Sequence, residues 1–316
     1  MNSLKRLYTD YRILHELRVK NAAYQVRFYG FWKQEITDMW FYRFVQSRQL
    51  LKDSSKRICF FSTFISRDTV DKVDGDEKIF FTGENLKRGP YKNFADHLLS
   101  NKRLDFALGF EYFEYGRYLR FPLWLLYMFE PESKEEDIVR RCAELDCPVM
   151  GNRNKFACHI SAADETGVRK EMCLGLSKVG QVDCAGKLLH NCDDLWKVYG
   201  DNKKSFMLNY RFNLCPENSN AAGYVTEKLF QSIDAGCIPV YWGDYNRPEL
   251  DVLNQDAILF WNKGDANAGL LEFVQRLEET PSMYEDFFNQ HRLKSTAAEY
   301  VIERFNLLEL MLKKYL

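Results

Sequence analysis

Two short stretches of this chain contain carboxylates at positions that are typical of catalytic or ligand-binding residues, namely the end of a strand and the start of a helix. Glu84 follows directly on an apolar run, so we expect it at the end of a strand, where a carboxylate can act as a general base. Glu227 and Lys228 stand together near the predicted start of a helix. A helix start favours anions, and a lysine beside it adds a full positive charge. The second stretch therefore suits a diphosphate attached to a sugar.

Residues 211–243 contain the elements that must position this second stretch. They read as a strand, a loop rich in Asn, Ser and Gly, a helix and a second strand, which is a βαβ unit of the length typical of a parallel sheet. Asn218 and Tyr224 offer further hydrogen-bond donors beside the helix. Glu227 is expected to cap the helix, to bind sugar hydroxyls or to stabilise a cationic carbon. The four predicted elements span 211–215, 216–223, 224–235 and 237–242.

The composition limits the class of protein. A chain of 316 residues predicts two domains, and 46% hydrophobic with 28% charged residues is ordinary for a globular protein. The net charge of −1 gives no electrostatic basis for binding nucleic acid. The nine cysteines are odd in number and form no C-x-x-C pair, which predicts reduced thiols in a reducing compartment and no zinc site.

The sequence also predicts a protein without a membrane span. No apolar run approaches the ~18–20 residues that a span requires, and residues 1–20 are too charged for a signal peptide. Apolar residues at 3–4 spacing make 1–20 an amphipathic helix. We expect it to pack on the first domain, with a membrane-surface or partner helix as the alternative.

Apolar runs alternate with helical stretches twice along the chain, which predicts an α/β fold. We place the boundary so that the first domain spans 1–145 and the second spans 146–316. A last amphipathic helix over 295–316 is expected to pack back on the first domain. The predicted strands are 24–32, 57–64, 78–82, 104–110 and 118–124 in the first domain, and 155–161, 181–187, 211–215, 237–242 and 257–261 in the second.

Both stretches resemble glycosyltransferase family 10, the α-1,3/1,4-fucosyltransferases that use GDP-fucose. ENSNAAGYVTEKLFQSIDAGCIPVYWG closely resembles the donor-binding motif of this family. FFTGEN and LDFALGFEYFEYGRYLRFPL resemble its first-domain segments. The resemblance covers 78–125 and 155–245 and is weak before 70 and after 265. It implies a GT-B fold, in which two Rossmann-like domains face each other across a cleft. The first domain, 1–145, would bind the acceptor and carry the catalytic base, and the second, 146–316, would bind GDP-fucose.

The resemblance also implies roles for individual residues. Glu84 would be the catalytic base, and Arg169 would contact the donor diphosphate, with Lys170 as the alternative if the alignment slips by one. Glu111 and Glu114 are second candidates for the base or for contact with the acceptor. The other donor-binding residues that it implies are Asn218, Tyr224, Glu227 and Lys228.

The implied reaction is the inverting transfer of L-fucose from GDP-β-L-fucose to an oligosaccharide, such as N-acetyllactosamine or a lipopolysaccharide glycan. The resemblance fits the bacterial members, which predicts a cytoplasmic protein and leaves open a peripheral contact with a membrane-borne glycolipid acceptor at the inner membrane. The alternatives are a GT-B transferase with another sugar-nucleotide donor and a non-catalytic sugar-nucleotide-binding protein.

No cofactor is expected beyond the donor, and a divalent metal is not expected to be essential. Asp74-Gly75-Asp76 has the D-x-D spacing that holds a metal in another large glycosyltransferase architecture. There the motif follows an apolar strand, whereas here it precedes one within a polar stretch. We therefore interpret it as a charged loop and expect Arg, Lys and helix ends to neutralise the diphosphate.

Overall fold

A computed structural model describes residues 3–32, 34–113, 116–147 and 151–315. The chain divides into two compact units. Unit 1 comprises Met1–Lys134 together with Ile302–Leu316, and unit 2 comprises Glu135–Val301. The division falls between Lys134 and Glu135, so the helix Glu135–Asp146 belongs to unit 2, whereas the predicted boundary after residue 145 lies at the end of that helix.

Unit 1 is built on a parallel sheet of five strands in the order β1-β2-β3-β4-β5. Its central strands are apolar at almost every position because helices cover both faces of such a sheet. The strands are β1 Val26–Tyr29, β2 Ile58–Phe61, β3 Glu77–Phe81, β4 Phe106–Gly109 and β5 Tyr118–Arg120. Its helices are α1 Ser3–Asn21, α2 Trp40–Ser47, α3 Thr69–Lys72 and α4 Leu123–Met128, with 3₁₀ turns at Ile36–Asp38 and Gly89–His97.

Both termini contribute to the core of unit 1. Leu14 of α1 is buried in one cluster with Tyr29 at the end of β1, so the predicted packing of the first helix on its own domain is confirmed. Near the other end of the chain, Phe305 is buried and its ring centroid lies 5.5 Å from that of Trp40 in α2. Apolar burial of this kind holds both terminal helices in the core of unit 1.

Unit 2 has a second parallel sheet of five strands, in the order β10-β9-β8-β6-β7. The strands are β6 Lys155–His159, β7 Val182–Cys184, β8 Tyr210–Leu214, β9 Ile238–Tyr241 and β10 Leu259–Phe260. The helices are α5 Glu135–Asp146, α6 Val168–Leu176, α7 Asp194–Lys197, α8 Lys203–Met207, α9 Glu227–Asp234, α10 Ala268–Glu279 and α11 Pro281–Phe288, with 3₁₀ turns at Asp244–Asn246 and Gln255–Ala257. The last helix, α12 Ala297–Tyr315, runs from unit 2 into the final segment of unit 1.

All nine cysteines are free thiols, and seven of them are buried. Within the part of the chain that the structure describes, no helix has both the length and the apolar character needed to cross a bilayer.

Candidate functional site

The second sheet contains a topological switch point between β6 and β8. The chain leaves β6 to form β7 on one side and then returns to form β8 on the other side. In open α/β sheets, ligands bind outside the carboxyl ends of the strands at such a point. The loops after β6 and β8 are therefore where a ligand of unit 2 is expected.

Arg169 and Asn218 meet at this switch point. Arg169 lies in the first turn of α6, after Gly167, whose left-handed φ of 81° turns the chain into the helix. Its guanidinium donates hydrogen bonds to the carbonyl oxygen of Ala163 and to the side-chain oxygen of Asn218. The structure thus brings together two residues from different loops that the sequence had proposed for one donor site.

A buried carboxylate anchors the start of α9. Glu217 is fully buried and follows shortly after β8. It accepts hydrogen bonds from the backbone amide and the hydroxyl of Thr226, each at 2.7 Å, and from the ammonium of Lys228 at 3.2 Å. Lys228 also donates to the Thr226 hydroxyl at 2.7 Å and lies 3.5 Å from the carboxylate of Glu227. Two carboxylates therefore hold one lysine at the helix start.

The charges of this cluster affect one another. Burial raises the pKa of Glu217, and Lys228 partly offsets that effect. Burial alone would raise the pKa of Glu227, but Lys228 lowers it to below its ordinary value. Burial would lower the pKa of Lys228, but both carboxylates outweigh burial and raise it, while Arg169 acts on it as a second positive charge. Glu227 is therefore ionised and Lys228 charged at neutral pH.

Lys170 and Tyr224 are placed differently from these groups. Tyr224 is 1% exposed and belongs to the turn before α9, where its amide donates to the carbonyl of Ala221 at 3.0 Å. The helix predicted over 224–235 therefore begins only at Glu227. The backbone amide of Lys170 donates to the carboxylate of Asp164 at 2.8 Å.

In unit 1, Glu84 follows β3 at the carboxyl edge of the sheet. The Thr82 hydroxyl accepts from the amide of Glu84 at 3.0 Å and donates to its carbonyl at 2.9 Å, which fixes the turn. A Cβ atom at Gly83 would lie 2.9 Å from a methyl group of the buried Leu123, so a residue without a side chain is needed there. The Glu84 side chain is 21% exposed, and its carboxylate lies 3.5 Å from the guanidinium of Arg88.

Glu111 lies at the same edge, just after the neighbouring strand β4. Its carboxylate accepts a hydrogen bond from the Tyr118 hydroxyl at 3.3 Å. Burial raises the pKa of Glu111, and the charge of Lys87 in the Glu84 loop acts against that shift. A carboxylate with a raised pKa is suited to accept a proton near neutral pH. Glu114, the other predicted acceptor residue, lies outside the described residues.

Within the D-x-D stretch, the carboxylate of Asp76 is occupied by protein contacts. Asp76 accepts from the backbone amide of Arg57 at 2.8 Å and pairs with its guanidinium at 3.1 Å. Among the residues that the structure describes, no group of three or more His, Cys, Asp or Glu side chains is placed to hold a metal ion. Asp76 thus closes the loop before β3 through Arg57.

Sequence reasoning missed Glu217. The pattern places it in a polar loop, although it follows directly on the Cys-Pro that ends an apolar run. Its partners Thr226 and Lys228 are separated from it by the Asn-rich loop, so their pairing is a tertiary contact. The available signal was a lone carboxylate just after a buried strand, the same signal that singled out Glu84.

Two family models match the chain. The C-terminal model of glycosyltransferase family 10 (fucosyltransferase) matches residues 150–307. The α-(1,3)-fucosyltransferase FucT N-terminal domain matches residues 26–127. These ranges contain the Glu84 loop in unit 1 and the Arg169, Asn218 and Lys228 site in unit 2.

Curated relatives agree with these matches. The chain is 27% identical over 192 residues to α-(1,3)-fucosyltransferase FucT of Helicobacter pylori, which is 53% of this chain and 37% of that protein. It is 30% identical over 118 residues to an α-(1,4)-fucosyltransferase of Arabidopsis thaliana, which is 35% of this chain and 28% of the relative. The matched region thus spans little more than a third of these relatives at most.

Solved structures share the fold. A crystal structure of an α1,3-fucosyltransferase has a TM-score of 0.61 at 17% identity, covering 90% of this chain and 89% of that one. A crystal structure of an α1,3-fucosyltransferase with GDP-fucose has a TM-score of 0.57, also at 17% identity, with the same coverage. Together with the two parallel five-stranded sheets, this likeness identifies the fold as GT-B and confirms the predicted fold class.

Proposed function

Because the chain belongs to glycosyltransferase family 10, the fucosyltransferases, we propose that it transfers L-fucose from GDP-β-L-fucose to a hydroxyl of an oligosaccharide. The observation that carries the proposal is the pair of cations at the switch point of the second sheet. Arg169 is held by Asn218, and Lys228 is held by Glu217 and Glu227. Fixed positive charge at this edge matches a leaving diphosphate without a metal.

In the proposed mechanism, the acceptor oxygen attacks C1 of fucose in a single in-line displacement. The bond between C1 and the acceptor oxygen forms as the bond between C1 and the phosphate oxygen breaks, so the β linkage of the donor becomes an α linkage. Glu84 takes the proton of the acceptor hydroxyl. GDP leaves with the electron pair, and Arg169 and Lys228 neutralise the charge that develops on it. Glu227, ionised at neutral pH, stabilises the cationic fucosyl carbon or holds hydroxyls.

We further propose an α-1,3 or α-1,4 linkage to an acceptor such as N-acetyllactosamine or a lipopolysaccharide glycan. The relatives named for both linkages support this range. The free thiols are consistent with action in the cytoplasm, where a membrane-borne glycolipid at the inner membrane would be accessible.

The test is transfer from GDP-fucose to N-acetyllactosamine in EDTA, comparing Glu84→Gln with Glu111→Gln. If Glu84 is the general base, Glu84→Gln should lower kcat by about 10²–10⁴-fold, since general base catalysis has that magnitude. Glu111→Gln should retain most of the activity, and the exposed Glu16→Gln of α1 serves as a matched control. GDP should raise the melting temperature of all variants equally, because a ligand that binds only the native state stabilises it.

Each opposite result removes one part of the proposal. If Glu84→Gln keeps more than about a tenth of the activity while Glu111→Gln loses it, the base is Glu111. A melting shift with UDP or CMP instead of GDP would mean another donor. Transfer that needs Mg²⁺ or Mn²⁺ would contradict neutralisation by Arg169 and Lys228 alone. GDP binding without transfer to any saccharide would favour a non-catalytic binding protein.

A further inference from the structure

Unit 1 contains a cavity of about 630 Å³ that is lined by none of the residues assigned above to the reaction. It lies at the carboxyl edge of the first sheet, where Gly30–Trp32 follow β1 and Phe64 follows β2. Glu84 follows β3 at this same edge because the three strands are parallel neighbours. The cavity and the candidate base therefore open from one edge of one sheet.

A continuous row of contacts joins the cavity to Glu84. The ring centroid of Trp32 lies 6.1 Å from that of Phe64, and Phe64 lies 6.3 Å from Tyr91. The guanidinium of Arg88 lies 5.8 Å from the ring centroid of Tyr91 and 3.5 Å from the carboxylate of Glu84. Phe64 is 44% exposed although its neighbours in β2 are buried, so its ring presents an aromatic face to solvent.

The lining of the cavity fits a neutral sugar ring. Ile13 and Leu17 of α1 contribute an apolar wall, and Trp32 contributes an aromatic face. The rim is polar: the ammonium of Lys20 donates to the carbonyl of Gln34 at 2.9 Å. A sugar ring has an apolar face and a hydroxyl edge, and pockets of about 300–1,000 Å³ with apolar walls and a few polar groups hold small ligands of this kind.

The charges of the rim argue against an anionic ligand. The ammonium of Lys20 lies 3.4 Å from the carboxylate of Glu35, so its charge is balanced by a neighbour. A phosphate or nucleotide is typically held by several cations or by a helix start, and among the described residues that line this cavity Lys20 is the only lysine or arginine. An uncharged ligand requires none.

We propose that this cavity is an acceptor subsite that binds a non-reacting sugar ring, with Trp32 and Phe64 as its stacking platform. The proposal rests on the function proposed above, because it assumes that the hydroxyl deprotonated by Glu84 belongs to an oligosaccharide. The reacting ring lies next to Glu84, and the next ring along the acceptor reaches the cavity along the row formed by Tyr91 and Phe64. Binding of this remote ring would stabilise the ground state and the transition state equally, so it would lower KM for the longer acceptor without changing kcat.

The test compares a disaccharide with a monosaccharide, N-acetyllactosamine with N-acetylglucosamine, on Trp32→Ala and Phe64→Ala. Each variant should raise KM for the disaccharide about tenfold, which is about 1.4 kcal/mol, with little change in kcat. KM for the monosaccharide and for GDP-fucose should change by less than about twofold. Trp32→Phe, which keeps a ring, should recover most of the loss. Trp196→Ala in unit 2, which removes a tryptophan that is 56% exposed, is the matched control.

Saturation-transfer NMR with the same two saccharides makes the outcome independent of catalysis. Disaccharide binding that is lost in Trp32→Ala and Phe64→Ala would support the subsite even if the wild-type protein transferred no fucose, a result that would overturn only the proposed function. Unchanged binding and KM in both variants, beside active wild-type transfer, would overturn the subsite and leave the function standing. An octyl monosaccharide that binds more tightly than the disaccharide through Trp32 would assign the cavity to a lipid chain and would also overturn it.

Discussion

Removing the ammonium of Lys228 tests whether Glu217 is held as a charged group inside unit 2. Lys228→Met keeps a flexible apolar stem of similar length but leaves a carboxylate that is fully buried without its cation. The two hydrogen bonds from Thr226 to Glu217 remain. The variant therefore isolates the contribution of the ion pair.

The expected loss is about 2–4 kcal/mol in the free energy of unfolding at neutral pH. Breaking a buried ion pair by removing one partner typically costs about 3–5 kcal/mol. The lower range applies here because the two Thr226 bonds, worth about 1.5–3 kcal/mol each when made to a charged group, continue to stabilise Glu217. For a unit of this size, about 2–4 °C in Tm per kcal/mol predicts a drop of roughly 4–16 °C.

The loss should grow as the pH rises. Burial raises the pKa of Glu217 above its ordinary value of 4.5, so the folded protein binds this proton more tightly than the unfolded chain. The stability gained from the protonated carboxyl is complete below the ordinary pKa and is lost as the pH rises through the raised pKa. Because Lys228 lowers that pKa in the native protein, removing it enlarges the loss and moves it to higher pH.

Thermal melts of four proteins at about pH 5 and about pH 8 measure this effect. They are the wild type, Lys228→Met, the double variant Lys228→Met with Glu217→Gln, and Lys263→Met as an exposed control. The double variant should regain most of the stability lost at the higher pH, because it has no buried carboxylate without a cationic partner. If Lys228→Met melts within about 1 °C of the wild type at both pH values, or if the double variant is no more stable than the single one, the ion pair does not hold Glu217.

Two further predictions concern the core of unit 2. Burial lowers the pKa of His159 from 6.5 to about 4, so its contribution to stability is present above 6.5 and is lost as the pH falls through about 4. That shift amounts to about 3 kcal/mol, and His159→Gln should melt with a shallower acid-side slope between these values; an unchanged slope would contradict the assignment. At Gly175 in α6, a Cβ atom would lie 2.3 Å from the ring of Trp261, which is buried and donates to Glu171 at 2.8 Å. Gly175→Ala should therefore cost about 1–3 kcal/mol in urea unfolding, whereas Gly269→Ala in α10, where a Cβ meets no atom within 4 Å, should cost nothing; equal effects would refute the clash.

The strands could be located from the sequence because both sheets are covered on both faces. The runs ICFF in β2 and IPVY in β9 are buried at every position, and such unbroken apolar segments are typical of parallel sheets. Once the strand ends were known, the edge positions of Glu84 and Arg169 followed from chain order alone. Side chains after parallel strands gather at one edge, whatever the order of the strands.

The helix boundaries depend on local backbone conformation, which the apolar repeat does not encode. Apolar residues from Leu270 to Leu277 recur at helical spacing and predict one helix over 267–288. The structure has two helices there, because Thr280 takes an extended conformation before Pro281. The repeat also placed the start of the donor-site helix at Tyr224. There the amide hydrogen bond to Ala221 makes a turn, and the helix begins three residues later.

Glu217 changes what the start of α9 can offer to a ligand. A helix N-terminus was expected to bind the diphosphate through its free amides, yet the Thr226 amide already donates to the Glu217 carboxylate inside the protein. That carboxylate stabilises the helix dipole and at the same time anchors Lys228 by an ion pair. The proposed binding of the diphosphate therefore depends on the side chains of Lys228 and Arg169 more than on the helix end, and substitutions that remove these cations should weaken GDP binding more than any change in the length of α9.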